Sequence, residues 1–257
     1  MSDHRRSARL AAWGSAWLAG TAAFDQVLDA VAGRGRHAAG PGFDTPGVHP
    51  VGVALTDWKR AGTSGLRLAL PVPGDVRGLA GSTELRDAAL RAGAAVYGRD
   101  FGVTVLPGPE TPSSAGREYV WHRGPAPEQP ADAAALADAV SLADAEYELA
   151  EAIRQTATEF TERGMTSWLS DIAPALSNAR RAGERLHLPA SHPPRAVRLI
   201  AQAERLTAVF ALVDSDDTGP LTAAEMAERA EALAPLRIAV RRALLAGYNA
   251  PLEVAAT

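Results

Sequence analysis

No cysteine occurs among the 257 residues, which removes disulfides, thiolate metal ligands and cysteine nucleophiles together. Lysine is nearly missing as well: Lys59 stands alone, so almost every positive charge is a guanidinium. Aromatic residues make up 5% of the chain, which leaves the core to close-packed aliphatic and small side chains. No run of 18 apolar residues occurs, and no transmembrane helix is expected. The HExxH and GxSxG patterns are absent, as is a phosphate loop ending in Gly-Lys-Ser/Thr. The six histidines, at 4, 37, 49, 122, 187 and 192, assemble no catalytic set by spacing.

What is present describes a folded globule. An apolar content of 47% supplies a sizeable core, and the length suits one large domain or two ordinary ones. The net charge of −4 argues against a nucleic-acid binder, which carries a basic bias. Charge is divided unevenly. Residues 1–130 carry 14 basic and 12 acidic side chains, and the rest carry 12 and 18. Arg5, Arg6 and Arg9 precede an uncharged stretch, Leu10–Phe24, superficially like a secretion signal. That stretch is rich in Ala, Gly and Trp, with Leu10, Trp13, Trp17 and Leu18 on one helical face. An amphipathic helix of a cytoplasmic protein is the expectation.

Two short helices are expected over 8–19 and 22–32, with Thr21 as cap of the second, then a Gly/Pro-rich loop over 33–47. A helix over 50–61 precedes the best strand signal, "LRLAL" (66–70), whose leucines alternate. A helix follows at 83–93, then a hairpin around Arg99-Asp100 and a strand over 117–123. The expected fold class is α+β. A small mixed layer with a short, mainly antiparallel sheet occupies 1–123, "GPAPEQPAD" (124–132) is a linker, and 133–257 is an all-helical antiparallel bundle. In the second part, Leu136, Val140, Ala143, Tyr147, Ala150, Ile153, Ala157 and Phe160 predict the buried seam of a long helix. A helical stretch over 166–187, kinked near Pro174, comes next. A third helix starts at Pro194, and a last one spans 222–247, bent or split at Pro235.

Three candidate sites emerge. In "DSDDTGPLTAAE", Asp214, Asp216, Thr218, Pro220 and Glu225 offer oxygen ligands at calcium-loop spacing. Residues 210–226 resemble a single EF-hand loop, and that resemblance implies calcium as a cofactor. The same residues also form a capping box, with Thr222 as cap and Glu225 three positions on, which needs no metal. Second, Arg180, Arg181, Arg185, Arg195 and Arg198 form a basic cluster suited to an anion or an acidic partner surface. The competing reading pairs these guanidiniums with Asp144, Glu146, Glu148 and Glu151 of the long helix. Third, Asp75 and Arg77 lie in "PVPGDVRGLAGS", a strand–loop–helix junction of the kind that lines ligand pockets.

Across most of its length the chain resembles a group of conserved hypothetical proteins of high-GC actinobacteria. The stretches "LAAWGSAWLAG", "LPVPGDVRGLAG", "ARRAGERLHLP", "PPRAVRLIAQAERL" and "RRALLAGYNA" carry that likeness. It implies a bacterial cytosolic protein and hands over no functional residues. The leading expectation is a non-enzymatic interaction or regulatory protein with a protein partner, no nucleic acid and no membrane. A calcium-binding protein is the alternative, and an enzyme with a pocket between the two halves near Asp75 and Arg77 is the weaker one.

Overall fold

The computed structural model describes residues 4–33, 35–44, 48–109, 117–126, 141–162, 186–214 and 223–255. Among them the chain forms seven helices and five strands. The first half runs α1 (His4–Leu18), α2 (Phe24–Ala32), β1 (Arg36–Ala39), α3 (Pro50–Arg60), β2 (Arg67–Ala69), α4 (Thr83–Ala92), β3 (Ala95–Tyr97), β4 (Phe101–Pro107) and β5 (Glu118–Pro125). The second half holds α5 (Leu142–Glu162), α6 (Pro194–Val213) and α7 (Ala223–Ala255). The chain divides into two compact units. A sheet unit comprises Met1–Ala139, His187–Pro193 and Tyr248–Thr257, and a helical unit comprises Val140–Leu186 and Pro194–Gly247.

The sheet order is β1-β5-β4-β3-β2. Three neighbouring pairs are antiparallel, as expected, but β1 runs parallel to β5, so the sheet is mixed. β1 lies inside the stretch expected to be loop. Its sequence, "RHAA", alternates no apolar residues, and it is recruited by pairing: Gly40 N–H donates to the Trp121 carbonyl at 2.8 Å. The β3–β4 hairpin turns at Arg99-Asp100, where Asp100 takes a left-handed φ of 71°. Aspartate tolerates that region better than most side chains.

The sheet is covered on both faces. Leu68, Val96, Val103, Val105 and Trp121 belong to one face by their register, and the helices α1 and α3 supply Leu10, Val51, Leu55 and Trp58, all buried. Trp58 is fully buried and stacks on Phe101 with centroids 4.7 Å apart, and its Nε1–H donates to the Phe101 carbonyl. Burying rings of this size is among the largest single contributions a core receives. On the other face, Leu85 and Ala89 of α4 pack with Ala69, Ala95 and Tyr97. The Ser82 hydroxyl caps α4 by accepting from Leu85 N–H.

Helix α1 departs from its expectation. Residues Ser7, Ala8 and Leu10–Ala16 are buried, while Trp17 and Leu18 are only half-buried. A helix buried all round needs small side chains where neighbours approach closely. Gly14 shows this, since a Cβ there would meet Leu66 Cδ1 at 2.5 Å. Thr21 does not cap α2. Its hydroxyl donates to the Ala16 carbonyl at 3.0 Å, closing α1, and Gln26 accepts from Ala23 N–H at the start of α2.

In the helical unit α6 and α7 run antiparallel. Arg237 meets Asp214 at one end, and Gly247 lies against Ala196 and Ile200 at the other. Leu199, Ala203 and Phe210 are buried on α6, as the spacing predicts. Of the seam expected along α5, Phe160 is buried, Ala143, Tyr147, Ala150 and Ala157 are exposed, and Leu136 and Val140 lie outside the described residues. Ala145, Leu149, Ala152, Thr156 and Phe160 point inward, whereas Tyr147 is 69% exposed. Helix α7 continues through Pro235 to Ala255. Proline leaves the carbonyl four residues earlier without its donor. That residue, Glu231, is exposed, as is Pro235, so the orphan lies on the solvent side of the helix, which is not split. Residues 163–185, which hold Pro174 and all but the last two residues of the expected 166–187 helix, lie outside the described residues, and 186–187 are not helical.

Candidate functional site

The edge strand β2 and the residue that precedes it would present open backbone groups at Leu68 and Leu66, whose N–H and C=O point away from β3. Neutral side chains fill both positions. Asn249 Oδ1 accepts from Leu68 N–H at 2.8 Å, and its Nδ2–H donates to the Leu68 carbonyl at 3.0 Å. The amide thus stands in for the peptide of a sixth strand. One register step earlier, Ser15 Oγ accepts from Leu66 N–H at 2.8 Å and donates to the Leu66 carbonyl at 3.3 Å. Both side chains are buried.

Beside this capped edge lies a cleft of about 330 Å³ within the sheet unit. Ala12 and Ala16 of α1, with Ala19 just past its end, form one wall, and Pro189, Pro193 and Leu252 form another. The segment carrying the prolines is held on α1: Trp13 Nε1–H donates to the His187 carbonyl at 2.9 Å, and the two rings stack. The polar wall groups include Ser15, Thr21, Ser191 and the buried His192. Ser15 is committed to Leu66, and the Thr21 and Ser191 hydroxyls share a 3.0 Å hydrogen bond. No carboxylate, guanidinium or ammonium group lines the cleft among the described residues. Its volume falls at the lower end of the range of ligand sites.

The sites read from the sequence lie elsewhere. Arg195 donates through Nε and Nη2 to Glu146 Oε2 at 2.9 and 2.6 Å. That hydrogen bond, with the carboxylate's charge, pushes the Arg195 pKa up. The pairing with the acidic long helix is therefore what this arginine makes. Arg242 adds a second tie to the same helix by donating to both oxygens of Glu148, at 3.0 and 2.9 Å. Arg198 is exposed, and Arg180, Arg181 and Arg185 lie outside the described residues. In the calcium-loop candidate, both oxygens of Asp214 accept from Arg237, at 3.0 and 2.7 Å. A cation taking Asp214 would have to displace that guanidinium. Asp216, Thr218 and Pro220 lie outside the described residues, as does the side chain of Glu225. Asp75 and Arg77 pair with each other at 2.6 Å and stabilise the turn joined by the Val72–Asp75 bridge. Ser15, Asn249 and the cleft went unseen in the sequence reading. The one legible trace was the spacing of Ala12, Ala16 and Ala19, which puts small residues on one stripe of the 8–19 helix expected from the sequence.

Two family models cover most of the chain. One, for the N-terminal domain of Rv1486c-like proteins, matches residues 7–134, and one for the C-terminal domain matches residues 143–245. The chain belongs to the Rv1486c-like protein family. A relative from Mycobacterium tuberculosis H37Rv, named as uncharacterized protein Rv1486c, is 33% identical over 97% of this chain and 98% of its own length. The uncharacterized protein ML1804 of Mycobacterium leprae is 29% identical over the same shares. These matches bear out the actinobacterial kinship and do not show the EF-hand resemblance. No solved structure matches the chain. Within the family frame, the cleft and the capped β2 edge draw on residues of the N-terminal match, namely Ala12–Thr21 and Ser64–Leu68. They also draw on His187–Pro193, within the C-terminal match, and on Asn249–Leu252, beyond it.

Proposed function

We propose that this chain is a non-enzymatic, cytosolic interaction protein whose sheet unit seats an uncharged, mainly apolar segment of a protein partner in the cleft beside β2. The observation that carries the reading is the chemistry of the cleft walls. They are mainly small and apolar, no carboxylate, guanidinium or ammonium group lines them among the described residues, and of their polar groups Ser15, Thr21 and Ser191 are already hydrogen-bonded within the chain. Such walls favour an apolar group through burial and disfavour a charge, which would lose its hydration without gaining an opposite charge. The ion pairs Arg195–Glu146, Arg242–Glu148 and Arg237–Asp214 support the same reading, because they direct these arginines toward the chain's own carboxylates.

The absence of cysteine makes the test direct. A single cysteine introduced by Ala19→Cys, at an exposed position on the cleft wall, takes a photo-crosslinker with no competing thiol. The expected result is a stoichiometric crosslinked complex from native cells, lost when Ala16→Phe fills the cleft of a protein that still melts cooperatively. Recovery of no complex, together with a turnover activity of the purified protein, would overturn the proposal.

A further inference from the structure

Two imidazoles that the cleft does not use lie on the opposite edge of the sheet. His37, on β1, has a hydrogen-bonding arrangement compatible only with the neutral ring. Trp121 Nε1–H donates to His37 Nδ1 at 2.8 Å, so that nitrogen must be an acceptor. His37 Nε2 lies 3.0 Å from the Ala32 carbonyl at the end of α2, so that nitrogen carries the proton. Charging His37 would place a second N–H against the indole N–H and break this side-chain bond between β1 and β5, beside their backbone pairing.

The ring of His49 packs 4.9 Å from that of His37, centroid to centroid. Both of its nitrogens are enclosed and have no hydrogen-bond partner among the described residues. His49 also occupies the N-cap position of α3 without making a cap hydrogen bond. A positive charge there opposes the helix dipole. The other groups facing the pair are Arg6 of α1 and Tyr119 of β5. The Arg6 guanidinium lies 3.6 Å from the Tyr119 ring centroid and donates to the Val31 and Ala32 carbonyls. Arg36 and Glu118, one register step away, face each other at 3.9 Å. Acidification therefore adds two charges beside an existing guanidinium.

We infer that β1 is an acid-releasable latch: protonation of His37 and His49 detaches β1 from β5 and frees the N-terminus of α3, while β2–β5 stay paired. Burial lowers the pKa of His37 from 6.5 to about 4, against the hydrogen bond to Ala32 and with help from His49 and Arg6, and burial lowers that of His49. A folded-state value below the unfolded one means that the released state binds more protons. The latch is thus fully held above about pH 6.5 and weakens as pH falls toward 4. β1 suits such a device because it is four residues long, and neither Arg36 nor Ala39 at its ends is buried.

Hydrogen exchange between pH 7 and pH 4, corrected for intrinsic rates, tests this. Protection at Arg36 and Gly40, which bond across to Arg117 and Trp121, should fall by more than about tenfold as a local opening, with β4 unchanged. The double variant His37→Gln/His49→Gln should flatten the profile, because the carboxamide placed on β1 can still accept from Trp121 and donate to Ala32 without titrating. Unchanged β1 protection at pH 4, or the same loss in the double variant, would overturn the latch. Should that variant not fold, imidazole carbon shifts of the native chain decide. Titration of both rings together with the loss of protection supports the latch, and ring titration at a different pH refutes it.

Discussion

In the sheet unit, Asn249 and Ser15 hold the backbone of β2 with neutral groups buried out of water. In the helical unit, Glu146, Glu148 and Asp214 each take an arginine at the surface or only partly covered. The difference follows from what each architecture leaves open. A sheet edge exposes backbone donors and acceptors at fixed spacing, and an amide or hydroxyl matches them without a charge to desolvate. A helix satisfies its own backbone, so its neighbours meet through side chains, and long arginines reach carboxylates while their stems cover apolar surface. The neutral bonds should be worth more each and be indifferent to salt. The ion pairs should be worth little and be screened.

The largest effect expected on this comparison is at Asn249. Asn249→Ala leaves both the N–H and the C=O of Leu68 buried without a partner, and should cost about 2–4 kcal/mol in denaturant unfolding. A loss no greater than that of an exposed alanine substitution would mean that the β2 edge does not need its cap. Next is Ser15→Ala, for which about 1–2 kcal/mol is expected, since one hydroxyl serves both groups of Leu66. Neither loss should change between low and high salt. The smallest effect belongs to Arg242→Ala, at most about 1 kcal/mol and fading in molar salt. A salt-independent loss of several kcal/mol there would erase the distinction between the units.

The same contrast explains what the sequence disclosed. Alternating leucines in 66–70 and the Arg99-Asp100 turn announced β2 and the β3–β4 hairpin, because period and turn chemistry are local signals. β1 was hidden because "RHAA" has no alternation, and its place depends on Trp121 and the β5 backbone, about 80 residues away in the chain. On α5 the visible apolar residues misplaced the buried stripe. With alanine on several faces, Tyr147 drew the seam toward solvent, while Glu146 and Glu148 mark where Arg195 and Arg242 approach. The pairing of Arg195 with Glu146 was legible from charge pattern alone, as one of two readings. The cleft was not, because its walls come from α1, the 187–193 segment and the end of α7, and small residues carry no chemical signature of their own. Asn249 was equally silent: an asparagine in a helix reads as a surface residue until the strand it caps is in view.

The central claim is that a partner is read by the neutral cleft and not by the arginines. The most direct measurement is the hydrogen-exchange footprint of the crosslink-identified partner on the native chain. Protection confined to the α1 wall at Ala12–Thr21 and to Ser64–Leu66 is the predicted result. Protection centred instead on the start of α6 at Arg195 and Arg198, with the α1 wall unchanged, would contradict it.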